Sequence, residues 1–183
     1  MLGDVAAALD RPFDLEDLLG TPDDGNRYEV LDGAMVVSPP PGPGHQTVVA
    51  ELLVILHHAA RPLGLRAFPS PLAWRIGPGQ VPEPDLMVVS PDAVGARAIE
   101  RPPLLVVEVL SPTGRDRDLS EKRRLYARAG APTYWIVDPA EPSLTVLRLA
   151  GADYQQEAHV TGSSPYETSS PVPVKIVPTD LIG

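Results

Sequence analysis

The run Leu104–Leu110, LLVVEVL, constrains the chain more than any other stretch. It is short, continuous, rich in β-branched residues and interrupted by a single acid. Such a run suits a central strand covered on both faces, so the chain must fold in layers around it. An unpaired ionised carboxylate there would cost several kcal/mol, so Glu108 must be neutral, paired or bound to a cation. The two-residue period of a strand puts Val106, Glu108 and Leu110 on one face. Two readings of Glu108 stand side by side: a structural ion pair or strand-end acid, and a functional carboxylate.

The flanking segments supply the layers. Arg27–Val37 reads as a hairpin, with Asp32-Gly33 as its type I′ turn. Ser38–Gly44, SPPPGPG, is a stiff loop unable to join a sheet. A deeply packed helix is predicted over His45–Ala60, stopped by Pro62 and Gly64. Strands are predicted at Leu65–Phe68, Leu72–Ile76, Asp85–Val89, Leu104–Leu110 and Thr133–Val137. A hairpin follows around Gly151 (Leu144–Leu149 with Tyr154–Val160), and an edge strand over Val172–Val177. A second helix spans Asp118–Ala129, with Asp118 as its cap, Glu121 at the capping-box position and Gly130 at its end. The order implies an α/β (α+β) fold with a central mixed sheet, an N-terminal β-hairpin and a β-rich C-terminus. Residues 1–26 form an extension with a short helix at Leu15–Leu19, and residues 27–183 one domain, as the 183-residue length suggests.

Composition narrows the chemistry. The absence of cysteine excludes disulfides, thiolate metal sites, iron–sulfur clusters and a cysteine nucleophile. The 23 prolines and 15 glycines together stay below the ~25–30% at which disorder is the default, and the prolines gather at loops and strand entries. The N-terminus lacks the charged and apolar regions of a signal peptide, and no stretch is long and apolar enough to span a membrane. A cytoplasmic protein is the expectation.

Two further residues join Glu108. Asp85 follows Pro84 at the mouth of the apolar run DLMVV, where an acid is either an ordinary turn residue or a ligand. On a helical wheel with Leu119 at the origin, Lys122 falls in the centre of the apolar arc shared by Tyr126, Ala129 and Leu125, one of only two lysines beside 13 arginines. A core-facing lysine needs a carboxylate partner or a shifted pKa, unless it snorkels past its neighbours. Glu29 in the hairpin reads in isolation as a solvated sheet residue, and His45 as a cap-region polar residue. One of His57 and His58 is expected to be buried. Together Asp85 and Glu108 can hold one hard divalent cation through oxygen atoms, and Lys122 can orient water or balance transition-state charge. That is the chemistry of phosphodiester hydrolysis.

The stretches YEVLDGAMVVSPPPGPGHQTVVAELL, PEPDLMVV and LLVVEVLSPTGRDRDLSEKRRLYARAGAPTYWIVDP resemble the Uma-two family, restriction-endonuclease-like proteins once grouped as domain of unknown function 820. The resemblance covers about residues 27–150. VVEVLSP followed by Asp118, Lys122 and Tyr126, then YWIVDP, is its most specific part. It implies the PD-(D/E)XK nuclease fold and a carboxylate-held Mg²⁺ or Mn²⁺. Asp85 matches the first catalytic acid, Glu108 the second, and the backbone carbonyl of Val109 completes the metal shell. Glu29 and His45 match accessory polar positions of the N-terminal motif. The superfamily's lysine normally lies two residues after the second acid, where this chain has Leu110, so the resemblance suggests that Lys122 substitutes from the next helix. The expected activity is Mg²⁺-dependent endonucleolytic hydrolysis of DNA. The alternatives are a non-catalytic nucleic-acid-binding or assembly module on the same fold, and a hydrolase of small phosphate esters.

The net charge of −9 argues on its face against polyanion binding, but it is uneven. Residues 115–128 carry six bases against three acids, directly after the Glu108 strand. Arg115, Arg117, Arg123 and Arg124 are therefore the expected DNA-phosphate contacts, the alternative being an ordinary solvated helix face. The family analogy and a free sheet edge make a homodimer plausible.

Overall fold

The LLVVEVL run forms the third strand of a six-stranded sheet in the computed structural model, which describes residues 11–183. The N-terminal sequence read for a signal peptide, and the start of the expected extension, fall largely outside these residues. The elements in chain order are α1 (Leu15–Leu19), β1 (Arg27–Leu31), β2 (Ala34–Ser38), α2 (Pro43–Ala60), β3 (Arg66–Pro69), β4 (Leu86–Val89) and β5 (Leu105–Val109). A helix α3 follows in three consecutive segments: α-helical Arg115–Arg117, π-helical Asp118–Lys122 and α-helical Arg123–Arg128. The chain ends with β6 (Thr133–Asp138), β7 (Ser143–Ala150), β8 (Asp153–Thr161), β9 (Tyr166–Thr168) and β10 (Val174–Ile176).

The sheet order is β3-β4-β5-β6-β7-β8, with β5 and β6 parallel and every other pair antiparallel. Only a parallel pair needs a long crossover, and α3 supplies it. β5 is buried along its whole length. Leu105, Val107 and Val109 join a cluster with Val48, Leu52 and Leu56 of α2. Val106 and Leu110 join a second cluster with Leu125 and Tyr126 of α3 and with Tyr134. The alternation thus assigns Glu108 to the α3 face. The pairs Leu86–Val107 and Met87–Val106 set the register, and Asp85 and Glu108 are the residues that follow on from the Leu86–Val107 pair along the two chains.

The β1–β2 hairpin turns at Asp32 and Gly33, both at positive φ (47° and 80°), as a type I′ turn requires. Backbone hydrogen bonds in both directions between Val30 and Val81 fasten it beside the entry to β4. Among the described residues, no helix is long and apolar enough to cross a membrane.

Several boundaries differ from expectation. α2 begins at Pro43, because a first-turn position has no use for the missing N–H. α3 begins a turn earlier than Asp118. Ser111 accepts the first amide through its carbonyl and caps the Gly114 N–H with its hydroxyl, so Asp118 is not a cap but lies buried inside the helix. The π turn inserts a residue into the helical register, and Leu119, the origin of the wheel, is 42% exposed. Leu72–Ile76, between Pro71 and Pro78, forms a single bridge, Trp74 to Ile99, rather than a strand. β10 pairs with β9 as a separate ribbon and does not extend the main sheet. His57 and His58 are both exposed on α2.

Candidate active site

Five elements deliver side chains to one cleft. β1 contributes Arg27 and Glu29, two apart and therefore on the same side of the strand. The first turn of α2 contributes His45, and the entry to β4 contributes Asp85. β5 contributes Glu108 from its second-last position, and the π turn of α3 presents Asp118 and Lys122. The cleft is about 220 Å³ and is walled by Ser38–Gly42 on one side and Ser111–Gly114 on the other.

Lys122 Nζ is the hub. It lies 3.0 Å from Glu108 Oε1, 2.9 Å from Glu29 Oε1 and 3.6 Å from Asp118 Oδ1, at 3% residue exposure. Glu108 Oε1 also accepts from the Tyr126 hydroxyl at 2.6 Å, while among the described residues nothing donates to Oε2. Glu29 Oε1 in addition accepts the Glu83 N–H at 2.9 Å. Asp85 is held separately. Its Oδ1 accepts from Arg27 Nη1 at 2.7 Å, and its Oδ2 accepts the Val109 N–H at 2.8 Å and lies 3.1 Å from His45 Nε2.

The electrostatics follow from burial opposed by partners. Burial lowers the Lys122 ammonium pKa, but Glu108, Glu29 and Asp118 outweigh it and hold the group charged well above the ordinary lysine value. Burial pushes the Glu108 carboxyl well up; Lys122 opposes that, while Asp118, Asp85 and Glu29 add to it. Asp118 is pushed up to about 6, mainly by burial. Asp85 goes the other way: burial would raise it, but His45, Arg27 and Lys122 hold it well below the usual carboxylate range. The buried carboxylates Glu29, Asp85, Glu108 and Asp118 outnumber Lys122 and Arg27, and remain in excess with Arg117 counted at the mouth.

That excess, with Glu108 Oε2 free, fits a divalent cation. No three His, Asp or Glu side chains among the described residues converge on one point in metal-holding geometry. The carboxylates that could hold such a cation are two, Asp85 and Glu108. This is what Mg²⁺ uses when substrate oxygens and water complete its shell, and it is too sparse for an all-protein zinc site.

Of the four arginines expected to meet phosphate, Arg117 lines the cleft. Arg115 donates to Asp138 Oδ2 at 2.5 Å, Arg123 donates to the Tyr154 carbonyl at 2.7 Å, and Arg124 is exposed. Leu110 belongs to the α3-face cluster and lines a neighbouring hollow with Arg115 and Asp138, not the cleft. Sequence reasoning overlooks Arg27. An arginine opening an amphipathic hairpin carries no local mark, and only the fold brings it to Asp85, 58 positions away.

The family model for Uma2, described as "Putative restriction endonuclease", matches residues 14–176. The chain belongs to the Uma2 family. The match reaches further in both directions than the 27–150 resemblance. A crystal structure titled as a putative nuclease belonging to DUF820, from Anabaena variabilis ATCC 29413, shares the fold. Its TM-score is 0.73 at 21% identity, over 93% of this chain and 98% of that one. A comparison with curated proteins finds no match. This Uma2 protein thus has the nuclease-like architecture expected for the family: a mixed sheet with Asp85 at the entry to β4 and Glu108 within the neighbouring antiparallel strand β5.

Proposed function

We propose that this Uma2 protein hydrolyses DNA phosphodiester bonds, with Asp85, Glu108 and the Val109 carbonyl holding one divalent cation, Mg²⁺ or Mn²⁺. The observation that carries the reading is the arrival of Lys122 Nζ from α3 at 3.0 Å from Glu108, beside four buried carboxyl groups that outnumber the cations of the cleft. When bound, the cation supplies Lewis-acid polarisation and a lowered pKa for attacking water. Lys122 stays protonated, so it does not act as a general base; it orients water and offsets charge developing on the phosphate. Tyr126 fixes the Glu108 carboxylate through Oε1 and leaves Oε2 for the cation. Glu29 anchors Lys122 and ties it to the backbone at Glu83. Arg117, at the mouth, meets a flanking phosphate.

A supercoiled plasmid incubated first without metal and then with Mg²⁺ or Mn²⁺ tests the reading. The wild type is expected to nick or linearise it only after metal addition, and Asp85→Ala and Glu108→Ala to cut about 10²-fold more slowly or worse. Equal cutting by all three proteins removes the enzymatic reading. One observation favours the non-catalytic alternative: both oxygens of Asp85 already have protein partners. DNA retention without any metal-dependent cutting would select that alternative.

A further inference from the structure

Arg27 explains how Asp85 can be fully occupied and still hold a cation. Three groups engage the carboxylate: the Val109 N–H, His45 Nε2 and Arg27 Nη1. The Val109 amide is fixed by β5, and the His45 side chain is 8% exposed at the start of an 18-residue helix. Arg27 differs. Its side chain is long, is 23% exposed, and lines the cleft with Glu108 and Lys122. Its Nη2 donates to the Glu83 carbonyl at 2.8 Å, a tether that leaves the guanidinium in the cleft if the Asp85 contact breaks. Of the two side-chain partners it is the longer and the more exposed, and it carries a positive charge that an arriving cation would repel.

We propose that Arg27 is a resident counter-ion: it yields Asp85 Oδ1 to a divalent cation and turns its freed guanidinium edge to a phosphate of the nucleic-acid strand. The inference rests on the phosphodiesterase reading of this cleft. A planar guanidinium suits both tasks, because it pairs as a fork with carboxylate or phosphate oxygens, and because its charge persists whichever partner it has. The arrangement keeps Asp85 paired when metal is absent, which a buried anion requires. It also makes metal affinity lower than the two carboxylates alone would allow, since the binding-competent state is the one in which Arg27 has let go.

Calorimetric titration of Mn²⁺ into wild type and Arg27→Met, without nucleic acid, tests the exchange. Removing one charge-assisted hydrogen bond from the competing state should tighten Mn²⁺ binding by about tenfold or more. Equal or weaker binding by Arg27→Met overturns the proposal while leaving the phosphodiesterase reading intact. No Mn²⁺ binding by wild type removes both. If Arg27→Met does not fold, the guanidinium ¹⁵N resonances of Arg27 in the wild type decide. They should shift on saturation with diamagnetic Mg²⁺, and unshifted resonances overturn the exchange. The phosphate contact is read from DNA-binding anisotropy in Ca²⁺ across a salt series. Arg27→Met should lower the slope of log K against log [salt] by about 0.9, one phosphate's worth, and an unchanged slope overturns that contact.

Discussion

Replacing Lys122 by methionine keeps the volume of the side chain and deletes the one charge at the centre of the cleft. Three buried carboxylates lose their shared cation at once: Glu29 at 2.9 Å, Glu108 at 3.0 Å and Asp118 at 3.6 Å. Stripping one partner from a buried ion pair costs about 3–5 kcal/mol. At about 2–4 °C per kcal/mol for a chain of this size, the midpoint of thermal unfolding should fall by roughly 6–20 °C near neutral pH. Circular dichroism melts over a pH series check both the size and the cause. Protonated carboxyls need no counter-ion, so the deficit of Lys122→Met should shrink as the pH is lowered towards 5. The double variant Lys122→Met/Glu108→Gln should regain about 1–3 kcal/mol of coupling relative to the sum of the single variants. A fall of less than about 2 °C, or a deficit constant between neutral pH and 5, would refute the view of Lys122 as the cluster's counter-ion.

Asp118 makes the same electrostatics visible in the wild type. Its folded value of about 6 exceeds its ordinary 3.8, so the native state holds the extra proton between those values. The contribution of this group to stability is greatest below pH 3.8 and falls as the pH rises to 6, by about 3 kcal/mol at 1.36 kcal/mol per unit. Asp118→Asn should flatten that part of a denaturant-derived stability profile. Tyr126→Phe removes the 2.6 Å hydrogen bond that orients Glu108, and should weaken calorimetric Mn²⁺ binding by about 10- to 100-fold while the protein stays folded. Adding Leu110→Lys to Lys122→Met restores the lysine to the usual strand position. It should not rescue plasmid cleavage, because Leu110 packs in the α3-face cluster and lines the hollow beside Asp138. Recovered cutting would mean that the strand position still reaches the cleft.

What could be read from the sequence divides by the distance over which the determinant acts. An acid inside LLVVEVL is conspicuous in one dimension, because strand burial follows from the run itself. Asp85 is marked only by its place at the mouth of a second apolar run, yet the β4–β5 pairing brings it within hydrogen-bonding reach of β5 at Val109, next to Glu108. Lys122 is also correctly read as core-facing, although the wheel rests on Leu119, which is exposed. The π turn at Asp118–Lys122 breaks the α-helical angle between them, and no local propensity announces it. Asp118 looks like a cap because it precedes a helical run. Its burial depends on the helix starting earlier at Ser111 and Gly114, an alternative that composition does not separate. Arg27 meets Asp85 through tertiary structure alone.

The place of the lysine has a structural consequence. A lysine two residues after the second acid would be held on the same strand as that acid, by the hydrogen-bonded ladder of the sheet. Lys122 depends instead on the seating of α3, where Leu125 and Tyr126 join Val106 and Tyr134 in one cluster and the Tyr134 hydroxyl donates to the Asp118 carbonyl at 3.0 Å. Tyr126 packs edge-on against Tyr134 at 5.3 Å between ring centroids and meets Trp74 at 5.6 Å. The same ring that fills the core hands its hydroxyl to Glu108. Packing and charge are thus joined in one residue: a core substitution that shifts α3 by a fraction of an ångström moves the Lys122 ammonium and the Tyr126 hydroxyl together. In this Uma2 protein the cleft is therefore sensitive to core packing on the α3 face of the sheet, which seats Lys122 and Tyr126 together, whereas the α2 face reaches the site through His45 and Val109.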